Sequence, residues 1–365
     1  MLGYTETMAR RLPLEEIDIP AWLRGLPKAE LHLHLEGTIE PATLVELSRR
    51  NDAVPLTLEQ ATALYTYDNF LAFLMAFKAV SERLVKAEDF GLITYEMIKS
   101  LAAQGVVHAE VYISWGILLR FKPHLTIEAV MDAVEAARLK AEEEFGVTVL
   151  WLIDAVRNFG VEEAARVFRL AAELKAKYPA IVGIGIGGDE ARGPAEDFRD
   201  LYAEAKAAGL RLTAHAGESG GPIHGPASIW SALNIGAERL GHGLAAQHDA
   251  ELLAVLAERQ IPVEINVTSN IRTGCCESYQ AHPLRKYFEG GLMVTINSDD
   301  PPMFGSNLLD EYILVQREYD FSLEQMREFA ANSIEASFLP PQRKLRLLAA
   351  VEQYNGREQG IGNRE

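Results

Sequence analysis

The chain has 365 residues, 48% of them hydrophobic, and a formal net charge of −17 from 52 acidic and 35 basic residues. That charge argues against nucleic acid and against anionic membrane surfaces as partners, and the apolar content is that of a globular protein with a substantial core. Two adjacent cysteines, Cys275 and Cys276, make no disulfide framework, so a reducing, cytoplasmic setting is expected. The N-terminus has no basic-then-apolar leader pattern, and the longest strongly apolar run, 70–77, is too short to span a bilayer.

The whole chain, 1–365, reads as one domain, with 1–25 as an irregular lead-in holding one short helix. The first strand covers 30–35, within Ala29-Glu30-Leu31-His32-Leu33-His34-Leu35-Glu36-Gly37. Its period of two puts His32 and His34 on one face. Two imidazoles so placed reach a single metal ion, and Gly37 breaks the strand just beyond them. A helix over 41–50 follows, with Glu40-Pro41 at its start. Asp68 is a candidate cap for the next helix, where Phe70, Phe73, Leu74 and Phe77 share one face. That stripe is either core packing or a hydrophobic wall over a pocket mouth.

Strands over 106–114, 147–156, 181–186, 212–216, 239–243, 263–267 and 293–297 then alternate with helices over 127–145, 161–177, 194–208, 229–235, 249–259 and 282–290. In the second strand Val107, Ala109, Val111 and Ile113 face covering helices, while Glu110 and Tyr112 face the other way. Helices fill the C-terminal tail, one of them opened by a Ser322–Gln325 capping box. Eight strands in regular alternation with helices imply a parallel sheet closed as a (β/α)₈ TIM barrel, with extra helices after the first strand and at the C-terminus. No G-x-G-x-x-G opens a helix after a strand, so a dinucleotide site is not expected. Gly183, Gly185, Gly187 and Gly188, along the fourth strand, suit close packing or a ligand against bare backbone.

In such a barrel the active site forms where strands meet their following loops. There the first strand brings His32 and His34, the fifth His215 and Glu218, the sixth His242, and the eighth Asp299 and Asp300. One histidine at a strand end is usually structural, but this many on one rim make a metal site. His32, His34, His215 and Asp299 offer three imidazoles and a carboxylate to one ion per chain. That donor set suits Zn²⁺ and does not exclude Fe²⁺, Mn²⁺ or Ni²⁺. A metal so held lowers the pKa of a bound water toward neutrality. His242 is then free to act as a base or to orient the water. Glu218 is placed to carry a proton to the substrate, and Asp300 points another way, toward a substrate nitrogen.

The stretch Leu26-Pro27-Lys28-Ala29-Glu30-Leu31-His32-Leu33-His34-Leu35-Glu36-Gly37 resembles the adenosine and adenine deaminases of the amidohydrolase superfamily. So do His215-Ala216-Gly217-Glu218, Gly241-His242-Gly243, Thr268-Ser269-Asn270 and Asn297-Ser298-Asp299-Asp300-Pro301, in order from about residue 26 to about residue 344. The resemblance implies a mononuclear zinc site on His32, His34, His215 and Asp299. It implies that Glu218 protonates ring nitrogen N1 as hydroxide adds to C6, with His242 helping to deprotonate the water. Asp300 would bond N7, and Gly188, in the family's G-D-E motif, would offer its N–H to N3. His34 and Glu36 complete the substrate-binding set.

Adenosine deaminases usually carry Asp, reaching the ribose 5′-hydroxyl, where this chain has Glu36; adenine deaminases often have Glu. The family commonly has Asp at the position of Gly185 and Arg at that of Tyr112. A smaller Gly185 would make room for a 5′-substituent such as that of 6-aminodeoxyfutalosine. The expected activity is zinc-dependent hydrolytic deamination at C6 of an adenine ring, with adenosine to inosine plus ammonia as the leading reading. A 5′-substituted adenosine such as 6-aminodeoxyfutalosine, or free adenine, is the alternative substrate, and another mononuclear amidohydrolase reaction is more remote. The fourth strand has no lysine, which disfavours the binuclear relatives. The H-x-E…P-C-x-x-C signature of cytidine deaminases is absent. Arg272, Cys275, Cys276 and His282 lie in the rim loop after the seventh strand, as loop structure or as substrate contacts. A small purine is the expected partner, and the oligomeric state stays open.

Overall fold

Alternating residues sort themselves between two environments as soon as the strands close on one another. In β1 (Lys28–His34), Ala29, Leu31 and Leu33 join the hydrophobic core beneath the outer helices, while Glu30, His32 and His34 turn inward. The computed structural model describes residues 17–67 and 70–356. In it, β2 (Val106–Ile113), β3 (Thr148–Val156), β4 (Ile181–Gly187), β5 (Arg211–Ala216), β6 (Arg239–His242), β7 (Val263–Ile265) and β8 (Val294–Ile296) follow in sequence. Each pairs in parallel with the next, in the order β1 to β8. The ring is completed by a parallel bridge between Leu33 and Asp299. There Asp299 N–H donates to the His32 carbonyl at 3.1 Å, and His34 N–H donates to the Asp299 carbonyl at 3.0 Å. The fold is the expected (β/α)₈ barrel, and its closure is made by the predicted site residues themselves.

The helix Ile127–Phe145 has the bounds read from its periodicity, and the Ser322–Gln325 capping box is formed. Other elements differ for local reasons. The helix expected over 229–235 begins at Gly221 and runs to Asn234. Pro222 sits in its first turn, where the missing N–H has no helical partner to lose, so the Gly/Pro-rich text concealed a helix. The helix expected over 194–208 is split into a 3₁₀ turn, Ala195–Phe198, and a helix, Arg199–Ala207. Helices Ala87–Ala103 and Trp115–Phe121 were not anticipated. In the lead-in, Asp18 caps a short helix, Ile19–Gly25. Asp68 and the side chains of Phe70 and Leu74 lie outside the described residues. Phe73 stacks on Phe304 at 5.1 Å and meets Phe77 at 6.1 Å, so the described part of that stripe packs against the segment after β8.

Directly behind His32 in the barrel interior lies a buried ion network. Arg239 Nε donates to Glu264 at 2.6 Å, Arg239 Nη1 donates to Glu110, and the guanidinium lies 4.0 Å from the Phe338 ring centroid. Glu110 therefore faces inward, as its place in β2 predicted. A buried pair of this kind is costly to break on one side. Among the described residues no helix is long and apolar enough to cross a membrane.

Candidate metal centre and active site

The inward positions at the carboxyl ends of β1, β5 and β6, with the turn after β8, converge on one point. Two of the imidazoles have their tautomer fixed from behind. His32 Nδ1 lies 2.8 Å from Glu264 Oε2, and His215 Nδ1 lies 3.1 Å from the Ile186 carbonyl. Each Nδ1 therefore donates, which leaves the Nε2 atoms aimed at the centre. His32 Nε2 is buried without a hydrogen-bond partner. His34 Nε2 stands 3.3 Å from both His215 Nε2 and Asp299 Oδ1, and Asp299 Oδ1 is 3.6 Å from His32 Nε2.

Ring nitrogens and a carboxylate gathered this closely can be held together by protons in the metal-free protein or by a bound cation that takes their place. Ligand atoms of His32, His34 and His215 lie within 4.8 Å of one another, and so do those of His32, His242 and Asp299. Three nitrogens and a carboxylate fit a divalent metal such as zinc. Burial pushes His32 and His34 down, yet hydrogen bonds and charge from Asp299, joined for His32 by Glu264 and for His34 by the Asp300 charge, hold them up at about 10 and about 9. The centre thus favours positive charge. Ser269 Oγ donates to Asp299 Oδ2 at 2.7 Å and aims the carboxylate. Asp299 and His242 also adopt φ of 66° and 64°, a left-handed backbone that costs energy outside glycine and gathers at functional sites.

Around this centre stand carboxyl groups that burial makes harder to ionise. Burial, followed by the Asp299 charge, pushes Glu218 up to about 8 and Asp300 up to about 7. Asp300 Oδ1 has no partner, and its carboxyl occupies the space that a Cβ on Gly37 would need. Glu36 is buried and raised by burial, with Oε1 accepting from Ser114 N–H at 3.1 Å. Gly188 is exposed at φ +97°, and a Cβ there would run into Asn158 Oδ1. His242 is buried, burial lowers it to about 3, and its Nε2 faces Glu218 Oε2 at 3.7 Å.

The structure corrects one expectation and adds residues that the sequence did not disclose. The space beside Gly185 does not open to a ligand: a Cβ there would meet the Tyr112 ring at 2.6 Å. Tyr112 fills it, stacks on His34 with centroids 5.1 Å apart, and donates to Thr213 Oγ1 at 3.0 Å. Glu264, Ser269 and Asp154 were not singled out as site residues. Asp154 projects inward from β3 with Oδ1 unpartnered, and burial raises it to about 7. Only its inward register on β3 signalled it. In the rim loop, Cys275 Sγ lies 4.0 Å from Glu218 Oε1, Arg272 sits 5.6 Å from the Tyr67 ring centroid, and His282 is buried against Asn270. Cys276 Sγ donates to the Ser278 carbonyl at 3.4 Å. A cavity of about 360 Å³ opens beside Glu218, with Ser219, Leu244, Gln247 and Cys275 on its walls.

A closed parallel barrel whose rim gathers three histidines, an aspartate and a buried glutamate defines a metal-dependent aminohydrolase. The sequence pattern of the adenosine deaminase family matches residues 27–354, and the chain belongs to that family. It is similar to the aminodeoxyfutalosine deaminase of Streptomyces avermitilis, with 38% identity over 92% of this chain and 93% of that one. The crystal structure of adenine deaminase from Arthrobacter aurescens superimposes with a TM-score of 0.81 at 32% identity, covering 90% of this chain and 98% of that one. An amidohydrolase from Burkholderia ambifaria, solved with bound zinc, gives the same TM-score at 25% identity over 95% and 94% of the two chains.

Proposed function

We propose that the chain hydrolyses the C6 amino group of an adenine nucleoside, exchanging it for oxygen from water and releasing ammonia. The observation that carries this reading is the convergence of two buried carboxyl groups, Glu218 and Asp300, on the three-histidine, one-aspartate centre, where burial raises them to about 8 and about 7. Addition of water to C6 dearomatises the ring, so a proton must reach N1 as the new bond forms. Glu218 is assigned that transfer, since an acid with a pKa near 8 is still protonated at neutral pH. N7 only accepts hydrogen bonds, and Asp300 is assigned to donate one. The bare Gly188 backbone is assigned to N3, and Glu36 with His34 to the far side of the substrate.

The metal is proposed to be zinc, on His32, His34, His215 and Asp299. When bound it would supply a water acidic enough to act as nucleophile near neutral pH. Among substrates, the 38% identity to an aminodeoxyfutalosine deaminase supports a nucleoside extended at the 5′ position ahead of adenosine itself. Free adenine is the second reading, supported by Glu36 and by the likeness to the Arthrobacter enzyme. A cytoplasmic setting goes with these proposals and rests on the cysteine count alone.

Ammonia release from adenosine, 5′-deoxyadenosine, 6-aminodeoxyfutalosine and adenine, with zinc-loaded and chelator-stripped protein, tests all of this. Zinc-dependent release with the highest kcat/KM on a nucleoside is the expected result. Release from adenine alone moves the assignment to the free base, and no release from any compound by zinc-loaded protein overturns the reading.

A further inference from the structure

His242 Nδ1 has two amide neighbours, Asn270 Nδ2 at 2.9 Å and Asn266 Nδ2 at 3.3 Å. Whether Nδ1 gives or receives a proton depends on which way those amides face. A backbone group settles the matter. Leu284 N–H can only donate, and it donates to His282 Nδ1 at 3.2 Å. His282 is buried, which pushes it down to about 3, so its ring is neutral and carries one proton. With Nδ1 accepting, that proton is on Nε2, 3.2 Å from Asn270 Oδ1. Asn270 Oδ1 therefore accepts, and the amide turns its NH₂ to His242. Asn266 Nδ2 also faces the Glu264 carbonyl, at 3.3 Å, and so acts as a second donor. His242 Nδ1 is an acceptor twice over, and its own proton must sit on Nε2.

We propose that His282 and Asn270 are positioning residues that lock His242 in its Nε2–H tautomer, making His242 a hydrogen-bond donor at the reaction centre. Two consequences follow. His242 shares a possible ligand cluster with His32 and Asp299, but a protonated Nε2 has no lone pair for a cation, which assigns the metal to the other set, His32, His34, His215 and Asp299. Of the two roles open to His242, base or orienting group, the tautomer selects the second. It holds the attacking oxygen by donating to it, with Glu218 Oε2 3.7 Å away, and it removes no proton. This role rests on the proposed deaminase reaction, whereas the tautomer does not.

The test is ¹⁵N-histidine NMR of the full-length, zinc-loaded protein, with His242→Gln used to assign the His242 signals. The expected spectrum has Nε2 protonated and Nδ1 bare. Asn270→Asp, nearly unchanged in size, offers Nδ1 a carboxylate and is expected to move the proton to Nδ1. It should lower kcat at least about 10-fold, with KM changed less than about 3-fold and metal content unchanged. His282→Gln keeps an N–H donor toward Asn270 Oδ1 and is expected to retain the wild-type tautomer, whereas His282→Ala should give a mixture. A wild-type His242 protonated at Nδ1 overturns the proposal, and so does an Asn270→Asp protein with the proton still on Nε2. Absence of ammonia release from the wild-type protein is a failure of the deaminase reading, and the NMR result then decides the tautomer by itself.

Discussion

Glu264 Oε2 lies 2.8 Å from His32 Nδ1, and both side chains are fully buried. The other Glu264 oxygen takes Arg239 Nε at 2.6 Å, so the carboxylate is held from below while it holds the imidazole above. Such outer contacts fix ring orientation and raise ligand basicity. Glu264→Gln is expected to weaken metal binding by about 10- to 100-fold while Arg239 stays paired with Glu110. Competition against a chelator of known affinity, on protein with an unchanged circular dichroism spectrum, measures this. An unaltered affinity would mean that Glu264 does not orient His32.

Metal affinity should also depend on pH. Burial lowers His32 and His34, but Asp299, and for His32 also Glu264 and for His34 also Asp300, outweigh it and set them at about 10 and about 9 in metal-free protein. Both groups thus hold a proton at neutral pH that a metal has to displace. The sign follows: binding releases protons, so affinity rises with pH. With two protons displaced, the rise between pH 6 and 8 approaches about 100-fold per unit, and it vanishes above about 10. Titrations in metal buffers at pH 6, 7 and 8 read the slope directly. A flat profile would show that the imidazoles are already unprotonated.

Glu218 can be separated from the metal centre by a single atom exchange. Glu218→Gln keeps the shape of the side chain and removes the acidic proton. His215, three residues earlier, remains pinned by the Ile186 carbonyl. Zinc stoichiometry should hold at the wild-type level while turnover falls by about 10²- to 10⁴-fold. Elemental analysis and ammonia release on the same preparation check the pair of outcomes. Joint loss of metal and activity would assign Glu218 to the structure of the centre instead of proton transfer.

The candidate ligands were legible because His32, His34 and His215 stand in strands whose alternation is intact and Asp299 follows one closely. His32 and His34 sit two apart in an apolar background, His215 lies near the end of β5, and Asp299 lies in the turn after β8. The barrel was legible for the same reason. Glu264 was not, because β7 is only three residues long and Val263-Glu264-Ile265 looks like any short strand with one polar position. Its meaning comes from Arg239 and His32, distant in sequence. Gly185 misled because a missing side chain looks like free space until the neighbour is known, and Tyr112 occupies that space. His282 was open between loop structure and substrate contact. Its partners, Asn270 and Leu284 N–H, show that it lies behind the site.

Glu190 offers the sharpest test of how the loop after β5 carries Glu218, the proposed proton donor. Its carboxylate accepts from Gly217 N–H at 2.7 Å, Glu218 N–H at 2.9 Å and Ser219 N–H at 3.2 Å, and also from Ser228 Oγ. Gly217 takes φ +70°, the left-handed turn that brings these three N–H groups to one side. Glu190→Gln must set its NH₂ against one or more of these donors, leaving an N–H unpaired in a buried place. A loss of about 2 kcal/mol in stability is expected, since hydrogen bonds to a charged partner are each worth about 1.5–3 kcal/mol. Glu218 should shift with its backbone, whereas His215, fixed to β4, should not. Lower kcat with wild-type zinc content, and faster proteolytic nicking between residues 217 and 221, are the expected signs. Wild-type kcat in a measurably destabilised Glu190→Gln protein would show that the loop tolerates the lost charge and that Glu218 is positioned by something other than Glu190.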